Sequence, residues 1–348
     1  MVTRNDPNLD SAALSACLRD NYGVDPAEIT FLPLGFDLDA AVYDVRAEDG
    51  SRYFLKLRVR RDGRAYPVSD TGQLVARALA DAGISSVVAP LPTRSSALTC
   101  RFGPRDAILY PFVDGENATV AAMSDRQWVT FGATLRAVHD SGLEERFREQ
   151  LPVERFDLPS AALVRNVLAR AAIVDAADLV TRDHARFWLD NADRIRTDLD
   201  RAEELGRELR PKRFALVLCH GDIHSTNIMI AGDGTLHLVD WDGPLIAPRE
   251  RDLLFVVGST IGRPVQPYQE RRFFAGYGRA AVDPVAIVFY RYERCLQDLG
   301  EIGRSVFHDA HLDEETHRDQ AAVAEGYFIP GGFLDRAETV ERHDRSTR

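Results

Sequence analysis

A loop followed by a short hairpin is the feature that most restricts how this chain can fold. Two β-prone runs, 228–230 and 235–239, are separated by Gly-Asp-Gly, and such a turn predicts an antiparallel hairpin. The loop ends at Asn227 and the second run ends at Asp240, so the hairpin brings an amide and a carboxylate to one end. Asp222 lies upstream in the same loop.

These three side chains form a pattern that is typical of magnesium-dependent phosphoryl transfer. Mg²⁺ prefers oxygen ligands and usually binds through few protein groups, which suits Asn227 and Asp240. A carboxylate beside the metal site, as Asp222 would be, can accept the proton of an acceptor hydroxyl. The order of loop, hairpin and second aspartate therefore predicts a kinase-type site.

The same loop contains a second pattern, in which His220, Asp222 and His224 alternate as in some metallohydrolase ligand sets. That alternative predicts tightly bound zinc and activity without nucleotide. It is the weaker interpretation, because no distant His or Asp set completes a zinc site. We expect His220 to be a buried residue whose hydrogen bonds fix the loop.

The first third of the chain is predicted to form short antiparallel strands with one helix. In the run Tyr53-Phe-Leu-Lys-Leu57, alternation places Lys56 on the face opposite Leu55 and Leu57, so its amine is directed to one side of the sheet. An Asp-Gly pair at 49–50 predicts a hairpin. We predict strands at 31–34, 41–46, 52–58, 87–90 and 106–112 and a helix at 71–82.

The remainder has helical periodicity. Ser124 and Gln127 form a predicted capping box, and amphipathic stretches follow at 160–178, 182–207 and 284–304. We therefore predict an α+β fold of two lobes, a small, mainly antiparallel β lobe with one helix and a larger, mostly helical lobe. The boundary is placed at 112–115, giving a nucleotide-binding lobe of residues 1–112 and a catalytic and acceptor-binding lobe of residues 113–348.

Composition excludes several classes of protein. The 43 Lys and Arg against 54 Asp and Glu give a net charge of −11, the wrong sign for nucleic-acid binding but compatible with a small cationic substrate. The four cysteines lie far apart without a CxxC pair, so we expect reduced core thiols. No signal segment or membrane-length apolar run is visible, and we expect a cytoplasmic monomer or weak dimer without a membrane partner.

The motif His220-Gly-Asp222 with Asn227, followed by Val239-Asp240-Trp-Asp242, resembles the signature of the aminoglycoside phosphotransferase family. The likeness extends over most of the chain, through residues 31–43, 53–57, 108–112, 241–253 and 290–294. It implies a protein-kinase-like fold and a small-molecule kinase. The implied reaction is ATP-dependent phosphorylation of a hydroxyl on an aminocyclitol or aminoglycoside antibiotic, with spectinomycin as the first candidate.

The resemblance also implies roles for individual residues. Asp222 becomes the catalytic base, Asn227 and Asp240 the Mg²⁺ ligands, and Lys56 the contact to the α- and β-phosphates of ATP. Backbone groups of residues 110–112, from Tyr110 to Phe112, would bind the adenine edge.

Two segments depart from the family pattern. The expected phosphate loop, residues 34–39, contains a single glycine, so less of its backbone can approach the phosphates. The family pairs its nucleotide lysine with a helix glutamate, whereas the nearest acid before the 71–82 helix is Asp70, which we predict as the partner of Lys56.

Acidic residues further along the chain are candidates for binding the ammonium groups of an acceptor. We predict this role for Asp242, Glu293 and Asp298, with a solvated helix face as the alternative for Glu301. Two other functions stay open: a kinase of the same fold that acts on another amino alcohol, sugar or macrolide, and a nucleotide-binding regulator without turnover.

Overall fold

The computed structural model describes residues 6–34, 40–59, 70–175, 178–309, 312 and 314–338. The chain divides into two compact units. The first comprises Met1–Pro152, Val217–Ile246 and Arg271–Gly278, and the second comprises Val153–Leu216, Ala247–Glu270 and Arg279–Arg348. The predicted boundary between a nucleotide-binding and a catalytic lobe near residue 112 stays a prediction.

An antiparallel five-stranded sheet dominates the start of the first unit. Its strands are β1 (Pro26–Leu32), β2 (Ala40–Ala47), β3 (Arg52–Val59), β4 (Cys100–Phe102) and β5 (Arg105–Pro111), in the spatial order β1-β2-β3-β5-β4. The helices α1 (Ser11–Tyr22) and α2 (Thr71–Asp81) precede and interrupt it. These bounds confirm the predicted strands 41–46, 52–58 and 106–112 and the predicted helix 71–82 to within about one residue. The predicted strand 31–34 overlaps β1 only at residues 31–32, β4 was not predicted, and residues 87–90 form an isolated bridge between Val87 and Leu238 instead of a strand.

Helix α1, which sequence reasoning did not predict, explains the direction of the β3 side chains. The Asp10 carboxylate caps the helix by accepting from the amides of Ala12 and Ala13. Leu14 and Leu18 of α1 lie in one buried cluster with Leu55 and Leu57 of β3. Because successive strand residues point to opposite faces, the alternate residues of β3 lie away from this cluster, as predicted.

A second, three-stranded sheet contains the predicted hairpin. Its strands are β6 (Gly115–Asn117), β8 (Ile228–Ala231) and β9 (Leu236–Leu238), and Ile228 pairs with Leu238. Helix α3 (Asp125–His139) begins at the predicted capping box of Ser124 and Gln127, and the short helix α4 (Leu143–Phe147) follows. The hairpin and the capping box are thus confirmed.

The second unit is mostly helical. Its centre is α10 (Pro284–His308), which packs against α5 (Ala161–Ala171), α7 (Ala192–Leu209) and α11 (Glu314–Gly326). The predicted helix over 182–207 is instead two helices, α6 (Leu179–Asp190) and α7, which meet at Asn191. Helix α8 (Glu250–Leu253) also belongs to this unit, whereas β7 (Leu216–Cys219), β10 (Leu245–Pro248) and α9 (Pro267–Tyr277) each include residues of both units. Across the described ranges, no helix has the length and hydropathy that a membrane crossing requires.

The cysteines only partly match the expectation of core thiols. All four are free, and Cys219 and Cys295 are buried as predicted. Cys17 in α1 and Cys100 in β4 are instead half-buried, with their sulfur atoms 3.6 Å apart. The prediction was wrong for this pair because separation along the sequence does not report that α1 packs across the edge strand β4.

Candidate active site

Lys56 and Asp240, which sequence reasoning assigned to nucleotide and metal, form an ion pair within the first unit. Lys56 Nζ lies 2.8 Å from Asp240 Oδ1 and 2.6 Å from Asp242 Oδ2. The Lys56 side chain is only 10% exposed. The fold therefore brings the β3 lysine to the end of the hairpin, as the predicted site requires.

Asp240 has a backbone conformation that few residues other than glycine adopt. Its φ is +64°, in the left-handed region, where a residue with a Cβ is strained. The side chain is 45% exposed, and within the described ranges its Oδ2 receives no hydrogen bond. One carboxylate oxygen thus lies against Lys56 while the other is available to a cation.

His220 fixes the loop that carries Asp222. The buried ring accepts from the Asp222 amide at Nδ1 (3.3 Å) and donates from Nε2 to the Val239 carbonyl oxygen (3.0 Å). Because an amide N–H can only donate, Nδ1 is the acceptor and the proton resides on Nε2. Both ring nitrogens are therefore committed to the backbone, which argues against the alternative of His220 as a zinc ligand.

Asn227 joins the loop to the end of the hairpin. Its side-chain Nδ2 donates to the carbonyl oxygen of Asp222 (2.8 Å), and its carbonyl oxygen accepts from the Val239 amide (3.0 Å). The amide nitrogen is thereby anchored, which leaves Oδ1 as the atom that can face a cation. Together with Asp240 Oδ2 this is a hard oxygen donor set, the kind that Mg²⁺ prefers, so these residues fit the predicted metal.

The carboxylate of Asp222 lies beside His224. His224 Nε2 is 3.4 Å from Asp222 Oδ2, and His224 Nδ1 accepts from the Thr226 amide. Because Nδ1 acts as an acceptor, the ring N–H is on Nε2 and is directed at the aspartate. Sequence reasoning considered His224 only as a metal ligand, whereas the structure gives it the position of an orienting neighbour of the predicted base.

Asp242 was predicted to contact substrate, but its carboxylate is held by the sheet and by α2. Oδ2 accepts from Lys56, and Oδ1 accepts from Gln73 Nε2 at 3.0 Å and lies 3.5 Å from Arg58 Nη1. Sequence reasoning did not identify Gln73. The signal was present, because Gln73 is a polar residue on the buried stripe of α2 that also contains Ala76.

Asp70, the predicted partner of Lys56, pairs with a different residue of β3. Its Oδ1 accepts from Arg58 Nη2 at 3.0 Å. Asp70 immediately precedes α2, whereas Gln73 lies one turn into the helix and reaches the Lys56 and Asp242 pair through its amide.

Tyr110 and Phe112, predicted to flank the adenine edge, lie at the end of β5. Burial and, to a smaller extent, the negative charge of Asp242 raise the pKa of the Tyr110 phenol. The Phe112 amide donates to the carbonyl oxygen of Arg52, whose guanidinium lies 3.6 Å from the centre of the Phe112 ring. The Phe112 amide is thus already hydrogen-bonded to the neighbouring strand β3. Of the predicted phosphate loop, residues 35–39 lie outside the described residues.

The predicted acceptor ligands Glu293 and Asp298 lie on α10 in the second unit, each paired with an arginine. Glu293 is buried and accepts from Arg251 Nη1. Asp298 accepts from Arg294 Nε at 3.1 Å and from the Tyr327 hydroxyl. The first unit contains the predicted site residues Lys56, Asp70, Tyr110, Phe112, Asp222, Asn227, Asp240 and Asp242, whereas these two acids are not part of that unit.

The scarcity of lysine in this chain also indicates a special role for Lys56, a signal that sequence reasoning did not use. Of the 43 basic residues only Lys56 and Lys212 are lysines, and the others are arginines. Lys212 forms surface ion pairs with Glu208 and Asp283. In a chain with this preference for arginine, a lysine on an interior strand indicates a position that requires a compact point charge.

Solved structures resemble this chain over almost its whole length. A crystal structure of spectinomycin phosphotransferase in complex with ADP and spectinomycin is 26% identical, with a TM-score of 0.83 over 95% of this chain and 98% of that one. An amicoumacin kinase in complex with AMP-PNP, Ca²⁺ and amicoumacin is 18% identical over 95% of this chain and 93% of that one, with a TM-score of 0.63. The predicted protein-kinase-like α+β fold is therefore confirmed.

Sequence comparison finds one relative that matches half of this chain and one protein family that matches a longer part of it. Protein StrN of Streptomyces griseus is 26% identical over 182 residues, and the match spans about half of each chain, 50% of this one and 55% of StrN. Residues 30–288 match the phosphotransferase enzyme family, APH. This match includes Lys56, Asp222, Asn227, Asp240 and Asp242, whereas Glu293 and Asp298 lie beyond its end, and it confirms the predicted class of enzyme. The chain is thus a member of the APH phosphotransferase enzyme family.

Proposed function

We propose that this enzyme transfers the γ-phosphoryl group of ATP to a hydroxyl of an aminocyclitol antibiotic, with spectinomycin as the acceptor. The observation that carries the proposal is the likeness to spectinomycin phosphotransferase, which extends over 95% of the chain at 26% identity. The ion pair between Lys56 and Asp240 supports the phosphotransfer part, because it joins the predicted nucleotide and metal groups at one site.

In this proposal each group at the site has one task. Asp222 accepts the hydroxyl proton of the acceptor and orients its oxygen, with His224 fixing the carboxylate. Lys56 contacts the α- and β-phosphates of the nucleotide. Asn227 and Asp240 would hold Mg²⁺, whose charge compensates that of the phosphates during transfer. Nucleotide binding is supported by the ADP, AMP and AMP-PNP complexes among the similar structures.

The acceptor would be recognised as a cation. The net charge of −11 favours attraction of ammonium groups, and carboxylates form strong charge-assisted hydrogen bonds with them. Glu293 and Asp298 stay proposed acceptor ligands, although each would have to share its carboxylate with the arginine that it already contacts. The absence of nucleic-acid and membrane partners, the cytoplasmic location and the monomeric or weakly dimeric state also stay predictions.

A panel of acceptors tests the proposal. ADP release from ATP and Mg²⁺ is measured with spectinomycin, other aminoglycosides, a macrolide and simple amino alcohols, and the phosphorylated product is identified by mass spectrometry. The Asp222→Asn variant serves as a control for contaminating kinases. We expect turnover with spectinomycin that this variant loses.

Other outcomes distinguish the alternatives. Turnover with another amino alcohol, a sugar or a macrolide, but not with spectinomycin, would retain the kinase and refute the substrate. Nucleotide binding without ADP release for any acceptor would instead indicate a regulator. Activity without nucleotide, together with zinc in the purified protein, would support the metallohydrolase alternative.

A further inference from the structure

We infer that Asp242 is a positioning residue that orients Lys56 toward the nucleotide, and not an acceptor ligand. The inference rests on the proposed function of the site and assigns a different task to this aspartate. In kinase-type sites a helix glutamate commonly holds the nucleotide lysine. Here the helix contributes the neutral Gln73, and the carboxylate comes from the segment after the hairpin.

The contacts of Asp242 leave it little capacity for a substrate. One oxygen accepts from Lys56 at 2.6 Å, and the other accepts from Gln73 at 3.0 Å and lies 3.5 Å from Arg58. Its side chain is 19% exposed, against 45% for Asp240. An acceptor ammonium would have to displace these donors, whereas a fixed lysine requires them.

The geometry also explains why two acids contact one lysine. Asp240 would also bind a metal ion when the nucleotide is present, since its second oxygen, Oδ2, is the predicted ligand atom. Asp242 would keep its contact to Lys56 throughout, because its second oxygen is held by Gln73 and Arg58. Holding the amine in place before the nucleotide arrives reduces the entropy lost on binding.

Nucleotide affinity, measured without any acceptor, tests this inference separately from the identity of the acceptor. We expect Asp242→Ala and the isosteric Asp242→Asn to raise the Kd for ATP about tenfold or more, the loss of about one charge-assisted contact. The KM for whichever acceptor proves active should change less than about twofold, since uniform loss of nucleotide contacts leaves acceptor binding unaffected.

Moving the carboxylate from position 242 to position 73 provides the decisive control. Gln73→Glu combined with Asp242→Asn returns a charge to Lys56 from the helix, and we expect it to recover most of the lost ATP affinity. Asp242→Asn keeps the shape of the side chain, so the comparison remains possible if Asp242→Ala does not fold. An unchanged Kd for ATP with a raised acceptor KM would overturn the inference, as would failure of Gln73→Glu to improve on Asp242→Asn alone.

A second and independent inference concerns the cysteines of α1 and β4. We propose that Cys17 and Cys100 form a site of reversible oxidation, at which a peroxide converts the two thiols to a disulfide. Their sulfur atoms are 3.6 Å apart, close enough to be in direct contact, and disulfide formation would bring them to about 2.05 Å. Both residues are half-buried, so small oxidants have access.

The surroundings favour Cys17 as the thiol that reacts first. Hydrogen bonding from Cys100 lowers the pKa of the Cys17 thiol to about 7, and Asn21 Nδ2 also donates to its sulfur. The Cys17 thiolate attacks the peroxide O–O bond, which leaves a sulfenic acid and one alcohol or water molecule. The Cys100 sulfur then attacks the sulfenic sulfur and releases water. Overall, two thiols lose two electrons and two protons to the peroxide.

Intact-mass measurement tests this site on the complete enzyme. After treatment with hydrogen peroxide we expect loss of two hydrogen atoms, a peptide that links Cys17 to Cys100, and reversal by dithiothreitol. Cys17→Ser should abolish the link, while Cys219 and Cys295, which are buried, serve as internal controls. Alkylation of Cys17 should also rise about tenfold between pH 6 and 8. Oxidation confined to other residues, or overoxidation of Cys17 without a link, would overturn the proposal.

Discussion

A β-carbon on Gly72 would lie 1.9 Å from the carbonyl oxygen of Trp241, so α2 rests directly on the backbone between Asp240 and Asp242. Only a glycine permits this approach. Gly72→Ala must push helix and backbone apart, and we expect it to lower the free energy of unfolding by about 1–3 kcal/mol and to reduce activity. Gly243→Ala is the matched control, because its β-carbon would meet nothing within 4 Å. Equal stability of the two variants in urea denaturation would contradict this contact.

Nucleotide should protect Lys56 from amine-reactive reagents, and the sequence makes this simple to measure. The chain has two lysines, and Lys212 on the surface is the internal reference. With ATP and Mg²⁺ at about ten times the Kd, acylation of Lys56 should slow about tenfold while that of Lys212 is unchanged. Peptide mapping gives both rates from one sample. Equal protection of the two lysines, or none, would argue against Lys56 as a phosphate contact.

Replacement of Asp222 should affect turnover and leave nucleotide binding intact. Asp222→Asn keeps the side-chain shape, and two hydrogen bonds of the loop use only the Asp222 backbone: its amide donates to His220 Nδ1, and its carbonyl oxygen accepts from Asn227 Nδ2. Because general-base assistance contributes about 10² to 10⁴ in rate, we expect kcat to fall by that factor while the Kd for ATP changes little. Parallel losses of kcat and nucleotide affinity would instead show that the variant disrupts the loop.

Asp240→Asn should separate metal binding from folding. The amide loses the charge that would bind Mg²⁺, and we expect kcat to fall about 10² to 10³ and the Mg²⁺ requirement to rise. Asp233→Asn is the control, because this exposed aspartate lies in the turn of the same hairpin and accepts from the Thr235 amide. Activity measured against Mg²⁺ concentration gives both quantities. A normal Mg²⁺ dependence in Asp240→Asn would refute its assignment as a ligand.

Burial of His184 should make the protein sensitive to acid. Burial, assisted by the charge of His317, lowers the pKa of His184 from 6.5 to about 4. Between these values the unfolded state binds the proton more readily, so stability is full above pH 6.5 and is lost as the pH falls toward 4. For a shift of this size the loss approaches about 3 kcal/mol.

The measurement compares the free energy of unfolding at pH 7 and pH 4.5. We expect His184→Gln, which can still accept from Trp188 Nε1, to lose less stability on acidification than the unmodified protein. His308→Gln is the control, since His308 is exposed. An identical pH response in His184→Gln would show that other groups cause the acid sensitivity.

Local pattern was sufficient for several elements of the first unit, though not for α1, and for the order of the chemical groups along the chain. The hairpin that ends at Asp240, the inward direction of Lys56 and the capping box at Ser124 all depend on residues close together in sequence. Turn chemistry, alternation and capping act over a few residues, so a sequence expresses them directly. The family motif is local in the same sense, which is why it identified the loop and hairpin.

Tertiary structure decided which groups pair. Asp242 contacts Lys56 and Gln73, which are 186 and 169 positions away, and Asp70 pairs with Arg58. Cys17 meets Cys100 across 83 positions. These contacts depend on how helices pack on a sheet, and packing is set by side-chain shape summed over many distant residues. Sequence therefore determined the chemical groups of the site, while only the folded chain determined the partner of each one.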